Sequence, residues 1–184
     1  AVDLILNCKG KVIFAGIGKS GLIARKISAT FSSVGIPSFF CDPAQALHGD
    51  MGQIEKKDIL IIFSYSGNTS ELTNMLKYAN RFQIKIIGVA SRIDSILLKA
   101  SDIKLILPQV KEADLTGMVP TSSTTSTLLL GDCLATTVMH QKKFSKDKFK
   151  VFHPGGNIGS SLLLAKDIMI VGEKMPVVNF KKNI

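Results

Sequence analysis

The sequence predicts an α/β protein, a three-layer αβα sandwich built around a five-stranded parallel sheet. Short apolar runs alternate along the chain with segments whose apolar residues recur at helical spacing. This alternation is typical of parallel strands joined by right-handed helical crossovers. Several of the apolar runs also lack polar alternation, which indicates strands that are buried on both faces.

The five strands are expected at residues 11–15, 38–41, 59–63, 85–90 and 103–107. Between them, apolar residues at helical spacing predict helices over residues 21–34, 71–82 and 93–100. Residues 123–140 form a longer, largely apolar pattern, predicted to be a central helix, and residues 1–8 resemble the tail of another. Ligands of such folds bind at the carboxyl ends of the strands, where the strand order reverses. The loops that follow strands are therefore where a site is expected.

Length and composition favour one domain with a full core, since the chain has 184 residues, of which 46% are hydrophobic and 20% charged. No apolar run is long enough to cross a bilayer, and the first residues lack the features of a secretory signal, so no membrane partner is expected. The three cysteines, Cys8, Cys41 and Cys133, have neither disulfide-framework nor metal-ligand spacing. A reducing, cytoplasmic location is the expectation.

The formal net charge of +9 raises the question of nucleic-acid binding. The lysines are spread over the chain, however, and the only dense run, residues 142–150, also carries Phe144 and Phe149 at apolar spacing. We interpret this run as a solvated helix face and expect no nucleic-acid partner. An anionic small substrate would benefit mildly from the positive field.

The loop at residues 64–69 is the strongest functional signal, because it joins an apolar strand to the start of a helix. Ser64, Ser66, Asn68 and Thr69 are expected to hold a phosphate there, next to the unpaired N–H groups of the helix N-terminus. Gly67 would let the backbone approach the anion closely. The loop therefore predicts a phosphate-binding site.

A second glycine-rich turn, at residues 16–21, matches the G-x-G-x-x-G pattern of dinucleotide-binding folds. Asp42 follows the second strand, about where such a fold places its ribose-binding acid. A nicotinamide-dependent enzyme is thus an alternative. Against it stand Lys19, which lies inside the turn where a chemical role is plausible, and the second anion loop at residues 64–69.

Further polar residues follow the strands. Glu71 fits either the return arm of a capping box with Asn68 or a role towards the sugar end of a ligand, and Glu112 follows the fifth strand at the same rim. His48 and His153 lie in glycine-flanked turns, where a histidine could move protons near neutral pH. Residues 121–125 begin the long helix with more hydroxyls than a cap requires, which favours a second wall of the same polar pocket.

Together these pieces resemble the sugar isomerase (SIS) domain, and closely that of the D-arabinose-5-phosphate isomerases. The resemblance rests on five segments in family order: GIGKSGLIARKISATFSSVGIPSFF, QALHGDMG, SYSGNTSEL, KEADLTGMVPTSSTTSTLLLGD and HPGGNIG. It implies a flavodoxin-like SIS fold over residues 1–165. Residues 166–184 then resemble the start of a truncated C-terminal cystathionine-β-synthase (CBS) region or a tail.

The resemblance also implies an aldose–ketose isomerase that interconverts D-ribulose 5-phosphate and D-arabinose 5-phosphate for Kdo and lipopolysaccharide synthesis. It implies a homotetramer with active sites at subunit interfaces, and no cofactor or metal. The chain departs from the family pattern at Gln45, Asn68 and Asp42, and the departure at Asp42 puts a metal contact there in doubt. The residues it ties to catalysis are Lys19, Glu71, Glu112 and His153, and those expected to bind substrate are Ser20, His48, Ser64, Ser66, Asn68, Thr69, Ser122 and Ser123.

Isomerisation through an enediol needs a carbon base, proton transfer between oxygens and stabilisation of oxyanion charge. We assign these roles to Glu112, His153 and Lys19 respectively, with Glu71 as the alternative base or as a residue that orients Lys19. A non-catalytic, sugar-phosphate-binding regulatory SIS module is the main alternative function.

Overall fold

A computed structural model of the chain describes residues 1–155, 163–178 and 181. Five strands of these residues form one parallel sheet in the order β2-β1-β3-β4-β5. This is the order of flavodoxin-like sheets, and it confirms the predicted fold class. The strands are β1 (Val12–Gly16), β2 (Ser38–Phe40), β3 (Ile59–Phe63), β4 (Lys85–Ala90) and β5 (Ile103–Ile106).

The described helices agree with the predicted ones except at their starts. The second helix begins at residue 18 rather than 21, and the fifth begins at 96 rather than 93, because the Ser95 hydroxyl caps it by accepting the N–H of Leu98 at 3.4 Å. The helices are α1 (Val2–Leu6), α2 (Gly18–Ser33), α3 (Pro43–Ala46), α4 (Leu72–Arg81), α5 (Ile96–Ala100), α6 (Ser122–Gln141), α7 (Lys146–Phe152) and α8 (Ala165–Ile168), with 3-10 turns at Asp50–Gln53 and Gly172–Lys174.

The sheet separates two hydrophobic cores, which explains why its central strands lack polar alternation. All five residues of β1 and of β3 are buried, and successive side chains point to opposite faces. On one face, Phe14 contacts Phe31 of α2 edge to face, with ring centroids 5.0 Å apart, beneath α1, α2 and α6. On the other face, Ile13 and Leu60 pack beneath α3, α4 and α5. The layers are those of an αβα sandwich.

The lysine-rich run forms α7 and a helix face in contact with water, as predicted. Within this run Phe144 is half-buried. It stacks with the more exposed Phe152, their centroids 6.2 Å apart, and both rings lie against the backbone of Gly35. Gly35 follows α2 and precedes β2, so α7 packs at the edge of the sheet where the strands begin.

Two predicted regions fall partly outside the described residues. These are residues 156–159 of the HPGGNIG segment, and residues 179–180 and 182–184 of the CBS-like region. Among the helices that the structure describes, none is long and apolar enough to span a membrane.

Candidate active site

A cavity of about 530 Å³ opens at the carboxyl ends of β1 and β3. These neighbouring strands mark the point where the order of the sheet reverses, which is where ligands of this fold class bind. The first turn of α2, the loop after β3, the segment after β5 and the N-terminal half of α6 supply its walls. Its lining residues include Lys19, Ser20, Ser64, Tyr65, Ser66, Thr69, Lys111, Glu112, Met118, Ser123, Thr124 and Thr127.

The loop at residues 64–69 is folded by its own hydrogen bonds. The hydroxyls of Ser64 and Thr69 lie 2.8 Å apart, and the Ser64 hydroxyl also accepts the N–H of Gly67 at 3.1 Å. Gly67 has a φ of +70°, the left-handed region that favours glycine. Ser64, Ser66 and Thr69 line the cavity, so the loop presents three hydroxyls to a ligand without having to rearrange its backbone.

Asn68 does not line the cavity with its neighbours. Its side-chain oxygen Oδ1 accepts the backbone N–H of Ile96 at 2.9 Å, and the carbonyl of Gly67 accepts the N–H of Leu97 at 3.0 Å. The loop is therefore tied to the start of α5. The side-chain oxygen of the amide that sequence analysis expected at the phosphate thus caps a helix of its own chain.

Glu71 is exposed and also lies outside the cavity lining. The capping box expected with Asn68 is absent: α4 begins at Leu72, with Glu71 in the N-cap position and no side-chain cap hydrogen bond. Hydrogen bonds from its own backbone N–H and from the Ser70 hydroxyl, the latter at 2.8 Å, lower the pKa of the Glu71 carboxyl. Both bonds are local to the first turn of α4.

Two lysines contribute positive charge to the cavity wall. Lys19 lies in the first turn of α2, beside Ser20, and its ammonium group makes no ion pair or hydrogen bond with the residues that the structure describes. Lys111 is a second cation on the wall. Sequence analysis quoted Lys111 only as part of a motif, although its position beside Glu112 was a usable signal.

Glu112 lies on the cavity wall and is held by the N-terminus of α6. Its Oε2 accepts the backbone N–H of Thr121 at 2.8 Å, the Thr121 hydroxyl at 3.1 Å and the N–H of Ser123 at 3.2 Å. Hydrogen bonding from Ser123 and from the Thr121 N–H lowers the pKa of the Glu112 carboxyl to about 2. The group is thus ionised at neutral pH. All three of these hydrogen bonds are to Oε2, and the other oxygen, Oε1, takes none of them.

The hydroxyl residues in the first turns of α6 differ in whether they line the cavity. Ser123, Thr124 and Thr127 line the cavity, whereas Ser122 does not. Before α6, the segment at residues 113–119 is folded around Asp114, whose carboxylate accepts the N–H groups of Thr116 and Val119 at 2.9 and 3.0 Å. The hydroxyls of Ser123, Thr124 and Thr127 thus make the N-terminal half of α6 a polar wall of the cavity.

The two candidate histidines lie outside the cavity lining. His48 is exposed in the turn after α3. His153 stacks on Phe149 with centroids 3.8 Å apart, and its Nδ1 lies 2.9 Å from the Phe149 carbonyl. The preceding residue, Phe152, lines a groove with Lys11 and other residues at the starts of β1 and β2. His153 therefore lies at the opposite edge of the sheet from the cavity of its own chain.

Asp42, the residue considered for ribose or metal contact, lies at the start of α3. The carboxylate of Asp42 caps α3 by accepting the N–H of Ala44 at 2.9 Å, which leaves it occupied within the chain. Among the described residues, no three His, Cys, Asp or Glu side chains are grouped as they would be to hold a metal ion.

The order of the sheet and the cavity at its reversal point define a ligand-binding α/β domain of the flavodoxin-like class. The SIS domain family model matches residues 5–137, so the chain belongs to the SIS domain family. The recognition made from the sequence motifs is confirmed at this level.

Individual relatives are more informative about chemistry. The chain is 44% identical to the arabinose 5-phosphate isomerase KdsD of Escherichia coli K12 over 179 residues, which is 97% of this chain and 55% of that protein. It is 45% identical over 177 residues to an uncharacterized protein of Rickettsia prowazekii, covering 96% of this chain and 55% of the relative. The chain thus spans about half the length of these relatives.

A solved structure of an Escherichia coli CFT073 protein in complex with arabinose 5-phosphate superposes with a TM-score of 0.81 and 38% identity, over 83% of this chain and 81% of that one. A putative sugar-phosphate isomerase from Listeria monocytogenes gives a TM-score of 0.81 at 36% identity, over 84% and 81% of the two chains.

Proposed function

We propose that this protein is an aldose–ketose isomerase that interconverts D-ribulose 5-phosphate and D-arabinose 5-phosphate through an enediol. One observation carries the proposal. A preformed hydroxyl loop, the ammonium group of Lys19 and the ionised carboxylate of Glu112 line one cavity of about 530 Å³. An anion holder, a cation and a carboxylate are the groups that enediol chemistry on a phosphorylated sugar requires. The similarity to KdsD supports the pentose phosphate as substrate.

In this mechanism Ser64, Ser66 and Thr69 hold the phosphate and so position the reacting carbons. Glu112 removes a proton from C1 of the ketose and returns it to C2 of the enediol, acting from the cavity wall on which it lies. Lys19 stabilises the negative charge that develops on the oxygens. Geometry favours Glu112 over Glu71 as the base, since only Glu112 lies on the cavity wall.

The low pKa of Glu112 has two opposing effects on this role. It keeps the carboxylate ionised throughout the neutral range, but it weakens the driving force for accepting a proton from carbon. A ligand that excludes water from the carboxylate would raise the pKa again by desolvation. Glu112 is therefore a base whose strength depends on a filled cavity.

The position of His153 leads to a proposal about assembly. If His153 moves protons between the substrate oxygens, it must come from another copy of the chain, because its own cavity lies at the opposite edge of the sheet. We propose a homotetramer in which neighbouring subunits complete each site. Glu71, His48, Asn68 and Ser122, which also lie outside the cavity lining, keep their catalytic or binding roles only as parts of such an assembly.

Mixing two inactive variants tests the shared site. Lys19→Ala and His153→Ala should each be inactive, and equal amounts unfolded and refolded together should regain about a quarter of wild-type activity if each site takes the two residues from different copies. Refolding each variant alone is the control. A mixture that stays inactive would contradict the shared site.

The reaction itself is tested by incubating the chain with D-ribulose 5-phosphate and identifying the aldose by NMR. Arabinose 5-phosphate supports the proposal, and ribose 5-phosphate would redirect it to another isomerase. Binding without turnover would favour the regulatory module. In deuterated water, Glu112→Gln should abolish incorporation of deuterium into the substrate while Glu71→Gln retains it, and the reverse pattern would identify Glu71 as the base.

The wider biological role is part of the same proposal. Arabinose 5-phosphate made by this enzyme would supply Kdo for lipopolysaccharide. The three free cysteines support a reducing compartment, the cytoplasm. We place the end of the catalytic domain near residue 165 and the start of a CBS-like region after it. The exposed apolar side chains of Ile168 and Val178, at 71% and 85% exposure, support a further packing partner for that segment.

A further inference from the structure

Tyr65 joins the phosphate-binding loop to the segment that carries Glu112. Its hydroxyl accepts the backbone N–H of Val110 at 2.8 Å and donates to the carbonyl of Pro108 at 3.2 Å. Its own carbonyl accepts both the N–H and the hydroxyl of Ser91, at 2.8 and 2.7 Å. The residue is therefore fixed at its backbone end to the segment after β4 and at its phenol end to the segment after β5.

The segment that Tyr65 holds leads directly to the carboxylate of the cavity. Glu112 lies two residues beyond Val110 and is fixed on its far side by Thr121 and Ser123 of α6. Residues 108–112 thus have two anchors, one on the phosphate loop and one on α6. Among the described residues, the hydrogen bonds of the Tyr65 hydroxyl connect this segment to the loop that would hold the phosphate.

We propose that Tyr65 is a positioning residue, whose hydroxyl sets the distance between the phosphate-binding loop and the carboxylate of Glu112. Its effect on turnover rests on the proposed isomerase function, whereas its effect on the order of residues 108–112 does not. A substrate held by its phosphate presents its carbons to a base only if the spacing between loop and base is maintained. The phenol supplies a rigid spacer of suitable length, with a donor and an acceptor on one atom.

The chain offers a matched control, because it contains two tyrosines. Tyr78 on α4 also uses its hydroxyl to reach a backbone carbonyl, that of Ile54 at 3.5 Å, and it does not line the cavity. Tyr65→Phe and Tyr78→Phe each remove one phenolic oxygen and keep the ring. The two variants differ in whether the lost hydroxyl holds the Glu112 segment.

The test compares turnover and hydrogen exchange in the two variants of the 184-residue chain. Tyr65→Phe should lower kcat about tenfold, because the carboxylate of Glu112 is no longer held at a fixed distance from the phosphate-binding loop. KM should change less than about twofold, because the loop keeps its hydroxyls. Backbone amides of residues 109–112 should exchange about tenfold faster. Tyr78→Phe should leave kcat, KM and those exchange rates unchanged, because its hydroxyl makes one bond, at 3.5 Å, outside the cavity lining. Urea unfolding should show that both variants remain folded.

The outcomes separate the inference from the function on which it rests. An unchanged kcat in Tyr65→Phe, or a raised KM with unchanged kcat, would overturn the positioning role, the latter because it indicates direct substrate binding. If the wild-type chain shows no isomerase activity, the proposed function fails, and hydrogen exchange still decides whether Tyr65 holds the segment. Exchange at residues 109–112 that is equal in wild type and Tyr65→Phe would then overturn the inference.

Discussion

Replacing Gly67 by alanine tests how strictly the phosphate loop depends on close backbone packing. The residue has a φ of +70°, and a Cβ added there would overlap the side chain of Ser95 and lie 3.0 Å from the Cβ of Ala90. The substitution therefore has two costs, one from backbone conformation and one from steric overlap. Both fall on the turn that orients the hydroxyls of Ser64 and Thr69.

The magnitude can be worked out from these two costs. A left-handed conformation costs a non-glycine residue about 1–2 kcal/mol, and overpacking in a well-packed region costs about 1–3 kcal/mol. Gly67→Ala should therefore lower the free energy of unfolding by about 2–5 kcal/mol. Gly117 provides the control, because its φ of +68° is nearly the same while nothing lies within 4 Å of an added Cβ. Gly117→Ala should show only the conformational cost.

Urea unfolding of Gly67→Ala and Gly117→Ala measures the loss of stability in each variant. The double variant Gly67→Ala, Ser95→Gly separates the steric cost from the conformational cost, because it removes the overlapping Ser95 side chain. The double variant should recover part of the loss in Gly67→Ala, measured against Ser95→Gly alone. Equal destabilisation in Gly67→Ala and Gly117→Ala would refute the packing argument. Inorganic phosphate should also bind more weakly to Gly67→Ala than to Gly117→Ala.

Three further predictions concern other polar groups of the fold. Asn68→Ala should destabilise the chain by about 1 kcal/mol, because the N–H of Ile96 loses its acceptor. Asn68→Asp keeps an acceptor oxygen and should not destabilise the chain. Equal urea midpoints for wild type and Asn68→Ala would contradict this. The Glu112 pKa is lowered to about 2 in the folded chain. The ionised carboxylate therefore stabilises the fold above the unfolded pKa of about 4.3, and this stabilisation is lost as pH falls towards 2. The difference in unfolding free energy between wild type and Glu112→Gln should narrow from pH 6 to pH 3, and a constant difference would contradict this. Asp58 is 1% exposed and accepts two backbone N–H groups at 2.7 and 2.8 Å, so Asp58→Ala should cost about 2–4 kcal/mol in urea unfolding. The exposed Glu55→Ala should cost clearly less, and similar losses in the two variants would show that burial is not the cause.

The fold could be predicted because its signals are local. Strands such as β3 are buried along their whole length, so an unbroken apolar run is visible without knowledge of neighbours. The loop at residues 64–69 was equally visible, since small hydroxyl residues between a strand and a helix mark its position. Three of its predicted ligands, Ser64, Ser66 and Thr69, line the cavity.

The predicted site residues that lie outside the cavity lining are placed by contacts between distant residues. Asn68 caps a helix whose first residue, Ile96, is 28 positions away, and no local pattern distinguishes that amide from a phosphate ligand. Tyr65 reaches the segment at Val110, 45 positions away. His153 follows a glycine-flanked pattern typical of a functional turn, but α7 returns to the edge where the strands begin. Which loop follows which strand can be read from sequence, whereas the path of α7 cannot.

The cap that Asn68 provides has a thermodynamic consequence for ligand binding. Because the loop at residues 64–69 supplies hydrogen-bond acceptors for the first amides of α5, ordering the loop and forming α5 are linked equilibria. An anion that binds only the folded loop would shift both, and α5 would become more protected although its residues lie outside the cavity lining. Substitutions on the buried face of α5, such as at Leu97 or Leu98, should conversely weaken anion binding without touching the ligand. A five-residue helix thus acts as a remote determinant of affinity.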